Sequence, residues 1–294
     1  MLRHKINRLL MLGYDNFFIM RKLQIFALLV LMLFIGCVAA VPPETSDLSM
    51  QAIESAFLKG KWDEVINSGE KRLAEEPNNV VLHFILSMAY YMNGEYGLLA
   101  KHRSLAVEGE GSTNTIITWC QDFAKRFPNN YYSYFLLGSA YREDDKMDQA
   151  IKSYEKALEL KPDFADAYIG IGNVYLESLN METAIDNYKK ALDIDPRHVI
   201  AYFNLGVAYG YNGQIDEAIA SCKKAIELNP RFIEAYSNLG DLYLEKGDKD
   251  EALKAYEKVV ELDPKSELGI DAQDAINEIK RPSHESEDNN SGKK

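Results

Sequence analysis

The side chains able to do chemistry are few and scattered. The five histidines are His4, His83, His102, His198 and His284. None stands in a His-Glu-x-x-His or Cys-x-x-Cys context, the spacings that aim two ligands at one metal, so no metal site is readable. His198 follows Asp195-Pro196-Arg197 at a helix start, where a polar residue is ordinary. No glycine-rich phosphate loop and no Gly-x-Ser-x-Gly elbow occurs. The many acids fall at spacings that suit pairs with Lys on solvated helix faces, as Glu155 and Glu159 do around Lys156. The three cysteines, Cys37, Cys120 and Cys222, imply no disulfide framework. No catalytic residue, metal ligand or cofactor is expected. What remains is the chemistry of binding. Phe135, Ile169 and Phe203 recur every 34 residues beside the amides Asn173, Asn204 and Asn238.

That interval organises the chain from Tyr131 to Ser266. Gly138, Gly172, Gly206 and Gly240 keep it, as do Pro162, Pro196, Pro230 and Pro264. Tyr134, Tyr168, Tyr202 and Tyr236 recur with it, and so do Ala150, Ala184, Ala218 and Ala252. A period of this length marks a repeated supersecondary unit whose apolar faces are buried by stacking. Within the third unit, Tyr202, Leu205 and Tyr209 form one helical stripe; Ala218, Ile219, Cys222, Ala225 and Ile226 form a second. Asn212-Gly213 turns the chain between them, and Pro230 stops the second helix. These residues resemble the tetratricopeptide repeat, two antiparallel helices per unit. The expected fold is an all-α solenoid of four such repeats, 131–164, 165–198, 199–232 and 233–266.

The resemblance implies a concave groove lined by the first helix of each unit. Carried onto this chain, its contact positions are Phe135, Ile169, Phe203, Asn173, Asn204, Asn238 and Asp241, with Asp166, Glu143, Glu177, Tyr211, Glu234 and Glu245 around them. Asn173 and Asn204 fit the amide positions of repeats that clamp a peptide carboxylate. Ile169, Glu234 and Asn238 stand where such a clamp needs cations, so that mode is not expected. The recurring Phe135, Ile169 and Phe203 are expected to form an exposed apolar ladder, and the acids around it to favour a partner segment with apolar anchors and basic flanks.

The N-terminus is a separate object. Arg21 and Lys22 precede an apolar run from Leu23 to Val41, the pattern of an export signal, with Met20 as an alternative start to Met1. Residues 1–19 then read as an upstream extension and 20–37 as the signal. Leu33-Phe34-Ile35-Gly36-Cys37 resembles a bacterial lipobox, with Cys37 the lipidated residue, although Phe34 departs from the usual Leu. Cleavage after Val38-Ala39-Ala40, or retention of the run as a membrane anchor, are the alternatives. Each puts the body on the exported side, in the cell envelope and facing the periplasm. Residues 38–47 are a tether. The formal net charge of −12 becomes −16 for the body from residue 38, with 28 bases against 44 acids. Such a body argues against nucleic acid and leaves membrane contact to the anchor.

From residue 48 to 130 the repeat is worn. Gly60 and Pro77 mark one unit, and Leu82, Leu86, Ala89 and Tyr90 with Asn93-Gly94 mark another. Pro77 and Pro128 are 51 residues apart, a period and a half, so an extra helix is predicted over 113–127. A bend or a module boundary is expected at the 108–112 loop; a distinct binding surface there is one reading, and simple drift of a capping region is the favoured one. Residues 267–280 read as a capping helix and 281–294 as a polar tail disordered by composition. The function expected is a non-catalytic protein–protein scaffold of the bacterial envelope. The alternatives are an inner-membrane-anchored adaptor and a glycan- or peptidoglycan-binding accessory to an envelope enzyme.

Overall fold

The structure, a computed structural model, describes residues 48–109 and 111–281. The expected signal, Cys37, the tether and the tail from residue 282 lie outside the described residues. Those described form 14 α-helices and no strand. They divide into two compact units, 48–196 and 197–281, each with its own apolar core.

The first unit holds α1 (Leu48–Leu58), α2 (Trp62–Leu73), α3 (Val80–Met92), α4 (Tyr96–Val107) and α5 (Ser112–Arg126). It continues with α6 (Tyr131–Glu143), α7 (Met147–Leu160), α8 (Ala165–Glu177) and α9 (Met181–Ile194). The second holds α10 (Val199–Tyr211), α11 (Ile215–Leu228), α12 (Ile233–Lys246), α13 (Lys249–Leu262) and α14 (Glu267–Lys280). Helix pairs α6/α7, α8/α9, α10/α11 and α12/α13 are the four regular repeats, and each pair packs closely.

Close packing inside a pair requires the repeated glycine. A Cβ on Gly172 would stand 2.6 Å from the Tyr188 ring, and one on Gly240 equally close to Tyr256. Side chains satisfy several helix starts: the Asn130 carbonyl oxygen accepts from Tyr132 N–H at 2.9 Å, and Ser266 Oγ accepts from Gly269 N–H at 3.1 Å. His198 Nδ1 accepts from Ala201 N–H at 3.3 Å, which makes this histidine a helix cap.

The extra helix is α5, and it buries Ile116, Ile117, Cys120, Phe123 and Ala124. The expected module boundary at 108–112 is not where the units divide; they part between residues 196 and 197. The reason is continuity of the core. α5 packs against both α3 and α6. Its Arg126 donates to the two oxygens of buried Glu54 on α1, at 2.7 and 2.9 Å. At the other end α14 buries Ala272 and Ile276 against its neighbours and leaves Asp274, Asn277 and Glu278 in solvent.

Candidate interaction surface

Each regular repeat has one large slot on its second helix, filled by Tyr154, Tyr188, Cys222 and Tyr256 in turn, and all four are buried. A buried phenol needs a hydrogen-bond partner. The partner always lies 15 residues earlier, on the first helix. Tyr188 donates to Asn173 Oδ1 at 2.7 Å, Tyr256 donates to Asp241, and Tyr154 and Ser139 hydroxyls meet at 3.2 Å. In the third repeat the slot holds Cys222, which carries no hydroxyl, and the matching position is Val207. Cys222 Sγ accepts instead from Asn238 Nδ2 at 3.2 Å.

This accounts for most of the expected polar contacts and corrects their role. The Asn173 carbonyl, the Asn238 amide and one Asp241 oxygen hold second-helix side chains in place, and Asn204 is buried. These bonds engage one polar atom each of Asn173, Asn238 and Asp241 in the free chain.

The apolar ladder is corrected too. Phe135 is 4% exposed and Ile169 2% exposed. Phe135 meets Phe164 edge-on at 5.2 Å and Tyr154 at 5.8 Å. A first helix touches its own second helix, the preceding second helix and the neighbouring first helix: α8 packs on α9, α7 and α6. It is therefore apolar over more than one face; Phe135 and Leu136 are buried, and Tyr134 and Leu137 beside them are half-buried.

The first unit also fills its groove positions from within. Arg103 of α4 donates to Glu143 of α6, and Arg142 donates to Glu177 of α8 at 3.3 Å. Tyr96 of α4 lies near Asp166 of α8, and its phenol is pushed up to about 12 by burial and by that acid. Sequence reading missed α4 here because it belongs to the worn stretch, where Arg103 and Glu143 stand 40 residues apart with no period linking them.

The second unit differs. On α10, Phe203, Val207 and Tyr211 form a single stripe at i, i+4, i+8, and all three are half-buried. Phe203 rests edge-on against Phe232 at 5.1 Å, the counterpart of the Phe135–Phe164 pair. The neighbouring first helix α12 carries Glu234 and Asp241 at groove positions, also half-buried. Burial raises the Glu234 carboxyl above the usual range. Burial and the charge of Asp241 together raise the Tyr211 phenol. The arrangement is an apolar–aromatic strip edged by carboxylates.

Cys120 and Cys222 are free and fully buried, and burial raises both thiols, that of Cys222 to about 12. Among the described residues no group of three or more His, Cys, Asp or Glu is placed to hold a metal ion. None of the described helices is long and apolar enough to cross a membrane.

Comparison with known proteins places these repeats. The tetratricopeptide-repeat family profile matches residues 199–232 and 233–266, and a second profile of the same repeat matches 138–178 and 180–213. No curated protein matches the chain. Among solved structures it is similar to a crystal structure of MamA, at 32% identity over 53% of this chain and 91% of that one, with a TM-score of 0.47. It is similar to TTC0263, a tetratricopeptide-repeat protein of Thermus thermophilus, at 22% identity over 66% and 97%, with a TM-score of 0.51. The anaphase-promoting-complex assembly Cut9–Hcn1 aligns at 18% identity over 80% of this chain and 47% of that one, with a TM-score of 0.52. The last two show the fold.

Proposed function

We propose that this chain, which belongs to the tetratricopeptide-repeat family, is a protein-interaction scaffold of the bacterial cell envelope that holds a partner segment against α10 and α12 of its C-terminal unit. One observation carries the choice of unit. The Phe203–Val207–Tyr211 stripe is half open, whereas the equivalent side chains Phe135 and Ile169 are covered. Half-open aromatic side chains can bury further area on binding, which is where interface energy concentrates. Glu234, Asp241 and Glu245 beside the stripe favour a segment whose apolar anchors are flanked by Lys or Arg. In this reading the chain supplies binding and no reaction of its own.

The envelope half of the proposal rests on sequence: the basic Arg21-Lys22, the apolar run and Cys37. A lipidated Cys37 bearing several acyl chains would anchor the acidic body stably, since a single chain gives only marginal binding. Two experiments test the two halves. Panning a displayed library of random peptides against the chain should enrich sequences with apolar anchors and basic flanks, and Phe203→Ala should lose them; enrichment of acidic sequences, or equal capture by the variant, would overturn the site. Cys37→Ala should abolish incorporation of a fatty-acid probe; unchanged incorporation would remove the lipoprotein reading.

A further inference from the structure

Glu70, His83, Tyr90 and His102 form a polar knot where α2, α3 and α4 meet, apart from the surface described above. Both histidines and Tyr90 are buried, whereas the Glu70 side chain is 43% exposed. His83 Nε2 lies 3.0 Å from the Pro77 carbonyl oxygen, and His83 Nδ1 lies 3.0 Å from His102 Nδ1. His102 Nε2 lies 3.0 Å from Glu70 Oε1, and the Tyr90 hydroxyl donates to that same oxygen at 2.8 Å. The Tyr90 ring stacks on His102.

The protons can be counted. Three contacts in line, Pro77 to His83, His83 to His102 and His102 to Glu70, each need one proton between their two heavy atoms. A neutral imidazole carries one N–H. Two neutral rings supply two. The Pro77 carbonyl and a Glu70 carboxylate supply none, and the Tyr90 proton is already committed to Glu70. Whichever tautomers are chosen, at least one contact is left with two lone pairs facing each other at 3.0 Å.

We propose that this knot is an acid-responsive clasp that takes up one proton, held by the histidine pair, and thereby closes the contact between α2 and α4. When loaded, His83 donates from Nε2 to Pro77 and accepts at Nδ1 from His102. His102 then donates from Nε2 to Glu70 in a charge-assisted bond. When unloaded, the carboxylate and the bare Nε2 repel, and Glu70, the exposed member, turns into water. The groups acting on His102 are Glu70 from α2, His83 and Tyr90 from α3, and Lys101 on its own helix. Burial is the largest influence and lowers the His102 value; Glu70 raises it, and His83 and Lys101 lower it further. Loading therefore happens on the acid side of the ordinary histidine range: the contact closes as pH falls, at the cost of a buried charge. The uptake belongs to the pair rather than to either ring.

Glu70→Gln separates the clasp from a merely buried pair. Tyr90 and His102 meet the same Glu70 oxygen, so an amide cannot serve both, and it carries no charge to hold an imidazolium. Histidine-labelled full-length chain would be titrated by NMR, with hydrogen exchange of the α4 amides followed in parallel. The expected result is that the His102 ring nitrogens titrate with a midpoint below the ordinary histidine value and that the His83 ring nitrogens report the same transition. By linkage, a lowered His102 value means the opened chain binds the proton more readily, so the α4 amides, after allowance for intrinsic pH dependence, should exchange faster as pH falls through the transition. In Glu70→Gln, which lacks the carboxylate that raises the His102 value, the transition should move to still lower pH. Separate titrations at the ordinary histidine value, or a native-like pH dependence in Glu70→Gln, would overturn the clasp. The native titration alone decides the case should the variant fold poorly.

Discussion

Phe135 and Phe203 occupy the same place in repeats 68 residues apart, and both meet the phenylalanine that ends their own repeat, at 5.2 and 5.1 Å. Yet Phe135 is covered and Phe203 is half open. In the first unit, α6 has α5, α7 and α8 around it, and α4 reaches over its groove positions through Arg103. In the second unit, α10 has α11 and α12. The lesson is that a repeat period fixes which residues are geometrically equivalent, while the neighbours of each helix fix whether an equivalent position is core or surface. A solenoid can thus cover one side chain in one unit and leave its equivalent half open in another.

The comparison can be broken or sharpened by substitution. The largest effect is expected at Phe135→Ala, which removes a buried ring and should cost about 3–5 kcal/mol of stability, against about 1–2 kcal/mol for half-buried Phe203→Ala. Chemical denaturation of both variants measures this, and equal losses would mean the two positions are equivalent after all. Gly172→Ala comes next. It drives a methyl into the Tyr188 ring and should cost about 1–3 kcal/mol. Tyr188→Phe should cost about 1 kcal/mol by leaving the Asn173 carbonyl without its donor. The smallest effect contrasts the slots chemically. Cys120 and Cys222, one per unit, should resist a water-soluble alkylating agent at mildly alkaline pH as long as the chain stays folded, because burial raises both thiols. Rapid labelling of either in native protein, read by intact mass, would show that its slot is open.

The repeat itself is legible because a 34-residue recurrence of Gly, Ala, Tyr and Pro reports helix packing directly. The helices at 112–126 and 267–280 stand where apolar spacing predicts 113–127 and 267–280. The orientation of the first helices is not legible. Spacing alone lets Tyr134 and Leu137 exhaust the packing face, but a helix with three neighbours buries Phe135 and Leu136 as well. The polar groove positions do carry a signal. Ser139, Asn173 and Asp241 are polar where the slot 15 residues later is tyrosine, and Val207 is apolar where it is Cys222. That covariation within one chain marks a hydrogen bond, not a ligand. The His83–His102 pair leaves no trace at all in the sequence, since it depends on how two worn helices face each other.

The central claim is that the same repeat position supports the fold in the first unit and binds in the second. Its most direct test is the affinity of one apolar, basic-flanked peptide selected against the native chain, measured for Phe203→Ala and Phe135→Ala and normalised to the folded fraction of each. The account predicts a loss of about tenfold or more for Phe203→Ala with a small change in stability, and native affinity per folded molecule for Phe135→Ala. Native affinity in Phe203→Ala, with the loss falling on Phe135→Ala instead, would contradict it.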